Sequence, residues 1–563
     1  MRRQPAKPRA TAAVDEVGLR LRAIAVTGAV SLAFLAVGAQ LVRLAAVNSG
    51  VILQSNISEP VAQSFSRPDL VDRNGRLFAT DVENPSLFAD PAVIIDRDEV
   101  VEKLTKILPE LNGRDLRRDL SDRSKRFVWI KRQIAPQLAQ RIHDLGLPGL
   151  AFRTELKRAY PLARLAGHVL GAVNVDNRGV SGMERYLDDS ASVEAVHGAT
   201  LSERAPVRLS LDVGVQHSLV EELQDATKRY KAESATGVVM DVNTGEVLAS
   251  ASLPEPDPRL GSAADTQQTD RITGGTYELG SIFKVLTVAQ SLDAGLSTLD
   301  TIYDVRQPLV EGRFTIKDLH PLGRPASVRD IFLHSSNVGA AMIALKSGGE
   351  QQKAFLGKLG LLDQGRTQAG PIAMPQVPKR WERIEQITIA YGHGLAVAPL
   401  QFAAAAAALV NGGELVKPTF LRGHGDGAKT RVVSAETSRQ IGDLMRLNVT
   451  DPAGTGKRAD VPGYRVGGKT GTAEMAAAGG YAKKSVISSF VAAFPMEKPQ
   501  YVVMVMIFKP QGTDETRNEI TAGHNAAPTA GRIIARVAPL LGVMPEPVQA
   551  ASGATQATIA TPN

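Results

Sequence analysis

Three short strings hold the side chains that could do chemistry. Ser281-Ile282-Phe283-Lys284 sets a hydroxyl and an amine three residues apart. Ser335-Ser336-Asn337 sets a hydroxyl and a carboxamide two apart, and Lys469-Thr470-Gly471 sets an amine and a hydroxyl beside a glycine. Ser-x-x-Lys, Ser-x-Asn and Lys-Thr-Gly each occur once in the chain. A serine hydroxyl is a weak nucleophile, and a desolvated, neutral lysine beside it is one way to activate it. Acyl transfer at a peptide also needs a proton donor for the leaving amine and hydrogen-bond donors at the developing oxyanion. Ser335 and Asn337 can pass a proton and hold a substrate amide. Lys469 keeps the site electropositive, which suits a substrate carboxylate and depresses the pKa of Lys284. Thr470 and Thr472 offer hydroxyls to that carboxylate, and Gly467, Gly468 and Gly471 let backbone approach a ligand closely.

These strings need particular elements to position them. After Ser281 the run to Leu292 is apolar on nearly all faces, so it reads as a helix buried in a large protein, stopped at Gly295. Lys284 is the exception on that helix; residues at i and i+3 share a face, which brings it to Ser281. Val328 to Lys346 reads as helix interrupted at Ser335-Ser336-Asn337. Thr236 to Ala249 reads as a hairpin turning near Asn243-Thr244-Gly245, and Ser485–Phe494 and Tyr501–Phe508 as apolar strands joined by a turn. Ala403 to Val410 reads as a helix ended by Asn411-Gly412-Gly413.

Composition narrows the class. The chain has 563 residues and a formal net charge of +7, which points to no nucleic-acid stripe and hence no nucleic-acid partner. It has no cysteine, so disulfides, zinc thiolates and thiol nucleophiles are excluded. His168, His334, His393 and His524 lie far apart with no His-Glu-x-x-His, so neither metal nor cofactor is expected. Thr455-Gly456-Lys457-Arg458 imitates part of a phosphate loop, but Asp451 stands where glycine is needed and Arg458 replaces the Ser/Thr.

The N-terminus suggests a membrane. Basic residues dominate 1–22, and Ala23 to Val42 carries no charge before Arg43. That is about the length of a bilayer span, with the basic side cytoplasmic. The expected layout is a cytoplasmic tail over 1–22, a transmembrane anchor over 23–43 and a non-catalytic pedestal or dimerisation-type module of α+β structure over 44–205. A catalytic domain over 206–545 and a disordered tail over 546–563 would follow. The expected location is the inner membrane, single-pass, with the catalytic domain periplasmic.

The three strings, in this order and with 54 residues from 281 to 335, match a set known from penicillin-binding proteins and class A β-lactamases. Taken with further strings, the chain resembles the class B penicillin-binding proteins, and most closely their division-specific type. Asp72-Arg73-Asn74-Gly75, Arg158-x-Tyr160-Pro161, His168-x-x-Gly171 and Gly179-x-x-Gly182-x-Glu184 resemble that family's N-terminal module. Gly275-x-x-x-x-Gly280-Ser281, Tyr391-Gly392-x-Gly394 and Ala398-Pro399-Leu400-Gln401 resemble its transpeptidase domain, with Ala398 where many members have threonine.

The resemblance implies an α/β transpeptidase domain of the serine β-lactamase-like fold: a five-stranded antiparallel sheet with helices on both sides. It implies septal cross-linking of peptidoglycan stem peptides ending in D-Ala-D-Ala, through an acyl-enzyme on Ser281. Ser281, Lys284, Ser335, Asn337 and Lys469 would be catalytic. Thr470, Gly471 and Thr472 would bind substrate, and the backbone N–H groups of Ser281 and Thr472 would form the oxyanion hole. It also implies inhibition by β-lactam antibiotics and partnership with a SEDS-type glycosyltransferase and other divisome membrane proteins. The alternatives are an elongation-type transpeptidase, a β-lactamase or an antibiotic sensor. The Glu-x-x-Leu-Asn string with which class A β-lactamases activate water is absent.

Overall fold

The computed structural model describes residues 16–52, 66–190, 205–263, 268–424, 427, 429–477 and 480–546. The expected tails fall mostly outside these residues. The chain divides into two compact units, one of residues 1–63, 88–130 and 142–151, the other of 64–87, 131–141 and 152–563.

In the first unit, α1 runs Glu16–Ile52. Among the described residues no helix is long and apolar enough to cross a membrane. That overturns the anchor expected over 23–43, and with it the inner-membrane, single-pass location. The same unit holds two short helices, Arg97–Ile107 and Gly113–Asp119, capped by the side chains of Asp96 and Asn112. The Phe127 ring lies 4.7 Å from both Phe88 and Trp129.

The second unit is built on a five-stranded antiparallel sheet. Its strands are β1 (Ser234–Asp241), β2 (Val247–Ser252), β3 (Gly467–Ala477), β4 (Gly480–Phe494) and β5 (Tyr501–Phe508). The order across the sheet is β3-β4-β5-β1-β2, which leaves β3 at an edge. Both faces of the sheet are covered, so the central strand β5, Tyr-Val-Val-Met-Val-Met-Ile-Phe, reads as a continuous apolar run rather than an alternating one. Val239, Val503 and Val505 face one core with α2 (Val213–Arg229) and its Leu219 and Leu223. Val238, Met240 and Met504 face the other core, which contains α3 (Lys284–Asp293) and its Val285, Leu286 and Val288. The buried, mostly apolar helix and the helix-flanked antiparallel sheet are both as expected.

Two of the family-like N-terminal strings, those of Arg158 and Glu184, share one ion cluster in this unit. Arg158 bonds Glu184 at 2.8 Å and Asp81 at 3.1 Å, and Arg67 bonds Glu184 at 2.9 Å. Arg67, Arg158 and Glu184 are all buried, so each charge depends on its partners. Asp72 accepts from the backbone N–H of Asn74 at 2.7 Å and of Val213 at 3.1 Å, tying the Asn-Gly turn to the start of α2.

Candidate active site

Gly280–Phe283 forms a 3-10 turn, and α3 starts only at Lys284. Ser281 therefore stands just before the α-helix rather than in its first turn. Gly280 has φ +58°, and a Cβ there would sit 2.8 Å from the Thr472 carbonyl oxygen. A Cβ on Gly471 would sit 2.6 Å from the Leu279 carbonyl oxygen. Glycine at both positions lets the 3-10 turn pack directly on edge strand β3.

The break expected at Ser335 separates α4 (Val328–Leu333) from α5 (Asn337–Ser347). Ser335 has φ +57°, a strained conformation for a side chain with a Cβ. Its surroundings hold it there. The hydroxyl accepts from Lys284 Nζ at 3.1 Å and Lys469 Nζ at 3.0 Å, and its carbonyl accepts from Lys284 Nζ as well.

Lys284 Nζ also lies 3.0 Å from Ser281 Oγ and 2.7 Å from Asn337 Oδ1. Two of these neighbours, the Ser335 carbonyl and the Asn337 amide oxygen, can only accept. A neutral amine has two N–H groups for them, which leaves its lone pair for a hydroxyl. The structure thus brings Ser281, Lys284, Ser335, Asn337 and Lys469 into one hydrogen-bonded group.

The electrostatics agree with a neutral Lys284. Burial holds its pKa well below the ordinary lysine value, Lys469 lowers it further, and Asp318 opposes them. Burial alone pushes Lys469 down to about 7. Between that value and the ordinary lysine pKa, an unfolded chain binds a proton that the folded one does not, so stability should rise with pH across this window. Lys469→Met should therefore raise the unfolding free energy near pH 7 by on the order of a few kcal/mol. The gain should shrink toward pH 10, and thermal melts at several pH values measure it. A variant no more stable than the parent at pH 7 would contradict the cost assigned to this burial.

Thr470 and Thr472 lie on the same strand with their hydroxyls engaged. Thr470 Oγ1 is 2.6 Å from Thr455 Oγ1, and Thr472 Oγ1 accepts from the Ala522 N–H at 3.1 Å. Three further residues at the site went unread in the sequence. Asn448, on α6 (Ala435–Thr450), donates to the Gly468 carbonyl at 2.8 Å and accepts from Thr455 N at 3.1 Å. Thr455 belongs to the string that imitates a phosphate loop. It supports Thr470 from behind. Asp318 accepts from Ser336 Oγ at 2.7 Å and from the N–H groups of Asn337 at 2.5 Å and Val338 at 3.0 Å. No motif marks Asp318; a lone acid upstream of a Ser-x-Asn string was the only signal.

Comparison with known proteins gives a consistent picture. Residues 235–535 match the family model of the penicillin binding protein transpeptidase domain, and residues 63–200 match that of the penicillin-binding protein dimerisation domain. The chain is 37% identical over 489 residues to a probable peptidoglycan D,D-transpeptidase FtsI of Caulobacter vibrioides, covering 85% of this chain and 82% of the relative. It is 33% identical over 514 residues to a probable peptidoglycan D,D-transpeptidase PenA of Neisseria meningitidis, covering 86% and 87%. The fold is similar to that of a peptidoglycan synthetase from Bifidobacterium adolescentis, with TM-score 0.66 and 22% identity over 86% of this chain and 97% of that one.

Proposed function

The chain belongs to the class B penicillin-binding proteins, and from that premise we propose that it is a peptidoglycan D,D-transpeptidase working through an acyl-enzyme on Ser281. The observation that carries this reading is the contact of buried Lys284 with Ser281, Ser335 and Asn337 at once.

Ser281 Oγ attacks the carbonyl of the penultimate D-alanine while Lys284 Nζ takes its proton. The new oxyanion lies between the N–H groups of Ser281 and Thr472. The Ser335 hydroxyl, between Lys284 and Lys469, passes a proton to the leaving nitrogen. The peptide C–N bond breaks, D-alanine departs, and an ester to Ser281 remains. An acceptor amine then attacks the ester and returns the proton to Ser281 by the same route. Strand β3 offers its open edge to the extended peptide, with Lys469 and the Thr470 and Thr472 hydroxyls facing the terminal carboxylate. A β-lactam enters the same way, but its leaving group stays tethered, so water and acceptor are kept from the ester.

Residues 206–545 are assigned as the transpeptidase domain and 44–205 as the pedestal or dimerisation-type module. The stem peptides of peptidoglycan are the substrate class. The narrower reading, septal synthesis beside a SEDS-type glycosyltransferase and other divisome proteins, is supported by the resemblance to the division-specific type. Depletion of the protein should then give filamentous cells; rounded cells would favour the elongation type.

The direct test is intact and peptide mass spectrometry after penicillin treatment. One penicilloyl group is expected on Ser281, with a lifetime far longer than the time taken to acylate. Rapid, repeated release of hydrolysed drug would move the reading to a β-lactamase.

A further inference from the structure

Asp318 lies in the loop after a small hairpin, Leu309–Glu311 paired with Phe314–Ile316. One carboxylate oxygen receives the first two free N–H groups of α5, from Asn337 and Val338. The other receives the Ser336 hydroxyl. Ser336 Oγ accepts in turn from Gly339 N–H at 2.9 Å, so the acid and the serine together cap this helix. The residue before Asp318 takes part too, since the Lys317 carbonyl accepts from Asn337 Nδ2 at 3.3 Å. That contact orients the amide so that its oxygen faces Lys284. The strained Ser335 turn and the Asn337 side chain are thus both anchored to residues 317 and 318.

We propose that Asp318 is a positioning residue for acyl transfer: it clamps Ser336 and Asn337 and gives the Lys284–Lys469 pair a counter-charge. This rests on the reading of Lys284 as the base. A counter-charge matters because two amines share a dry site. The charged groups that act on Lys284 are Lys469 from β3 and Asp318 from the loop. Lys284 itself acts on His393, which is also under the influence of Glu278 and Glu474. Burial and Lys469 both push Lys284 toward an amine too weak to draw the Ser281 proton. Asp318 pulls in the opposite direction and keeps the amine basic, and a stronger base transfers the proton more readily.

Asp318→Asn separates the clamp from the charge. Its amide oxygen can still accept from Asn337 and Val338, and its nitrogen can donate to Ser336 Oγ. The measurement is the second-order rate of acylation by a fluorescent penicillin from pH 5 to 9, on the full chain. The acidic limb for Asp318→Asn should move to lower pH by about one unit, since an opposite charge near the amine is gone. Its plateau should fall by about tenfold, as expected for a weaker base. Asp318→Ala should show the same displacement and a plateau lower by on the order of 10²-fold, since the clamp is lost as well. Ser336→Ala, which removes one arm of the clamp but no charge, should lower the plateau with the limb in place.

A residue that only stabilised the loop would lower the plateau and leave the limb where it is in the parent. An unmoved limb in Asp318→Asn therefore overturns the proposal. If Asp318→Ala fails to fold, the other two variants still decide it. The parent is the control for the reading itself: penicillin acylation at a residue other than Ser281 would refute that reading, whatever Asp318 does.

Discussion

Ser281→Ala is expected to take up no penicillin at all while melting within a few degrees of the parent. The hydroxyl is the only atom removed. The backbone N–H of residue 281 and the packing of the 3-10 turn on β3 remain in place. Ser281 Oγ has one described hydrogen bond, to Lys284, so its loss costs the fold only about 1 kcal/mol. The loss of acylation is complete, because no other described side chain sits against Lys284 with a hydroxyl free of a second lysine. Ser335 is the nearest rival, and its oxygen is already shared between Lys284 and Lys469. Gel labelling with a fluorescent penicillin reads the outcome. Labelling at parental intensity would remove Ser281 from the mechanism.

The second large effect belongs to Lys284→Arg. A guanidinium does not lose its proton at working pH, so it cannot serve as the base. It is also wider than the ammonium, in a space where four oxygens already touch Nζ. Acylation should fall by on the order of 10²-fold or more. The variant should also be markedly less stable, because a permanent charge then lies buried beside Lys469. Stopped-flow acylation and thermal melting measure the two losses separately. Near-normal acylation would show that the proton leaves Ser281 by another route.

Much of this site was legible because its parts are short and local. Ser-x-x-Lys works at i and i+3 whether the turn is 3-10 or α, so the late start of α3 left the pairing of Ser281 and Lys284 intact. The break at Ser335 was visible because a polar triplet interrupts an apolar helix. Period and run length also marked β1, β4 and β5, since a strand buried on both faces has no polar positions to blur it. What could not be read depends on distance along the chain. Asp318 meets partners 18 to 20 residues away, and Asn448 reaches Gly468 across 20. Neither spacing belongs to a repeating element, and a single Asp or Asn in a loop resembles any solvated residue. Arg158 and Glu184 are 26 residues apart, so their strings suggested family likeness without showing that the two form an ion pair. The anchor is the opposite case. An uncharged run gave a clear local signal, yet among the described residues no helix is long and apolar enough to cross a membrane.

The two buried lysines also bear on how variants of this protein should be sought. Both lysine side chains are withdrawn from water in the folded chain and hydrated as ammonium groups in the unfolded one, so the catalytic arrangement is kept against the thermodynamic preference of the fold. A library sorted for heat resistance alone would enrich replacements at 284 and 469 by apolar residues of similar length, and the survivors would be inert. Sorting for penicillin uptake alone would retain both lysines and whatever marginal stability comes with them. Only a screen that applies heat first and reads labelling second would find substitutions elsewhere that compensate for the pair. Such substitutions should gather in the sheet cores and the N-terminal ion cluster, away from the strained turn at Ser335.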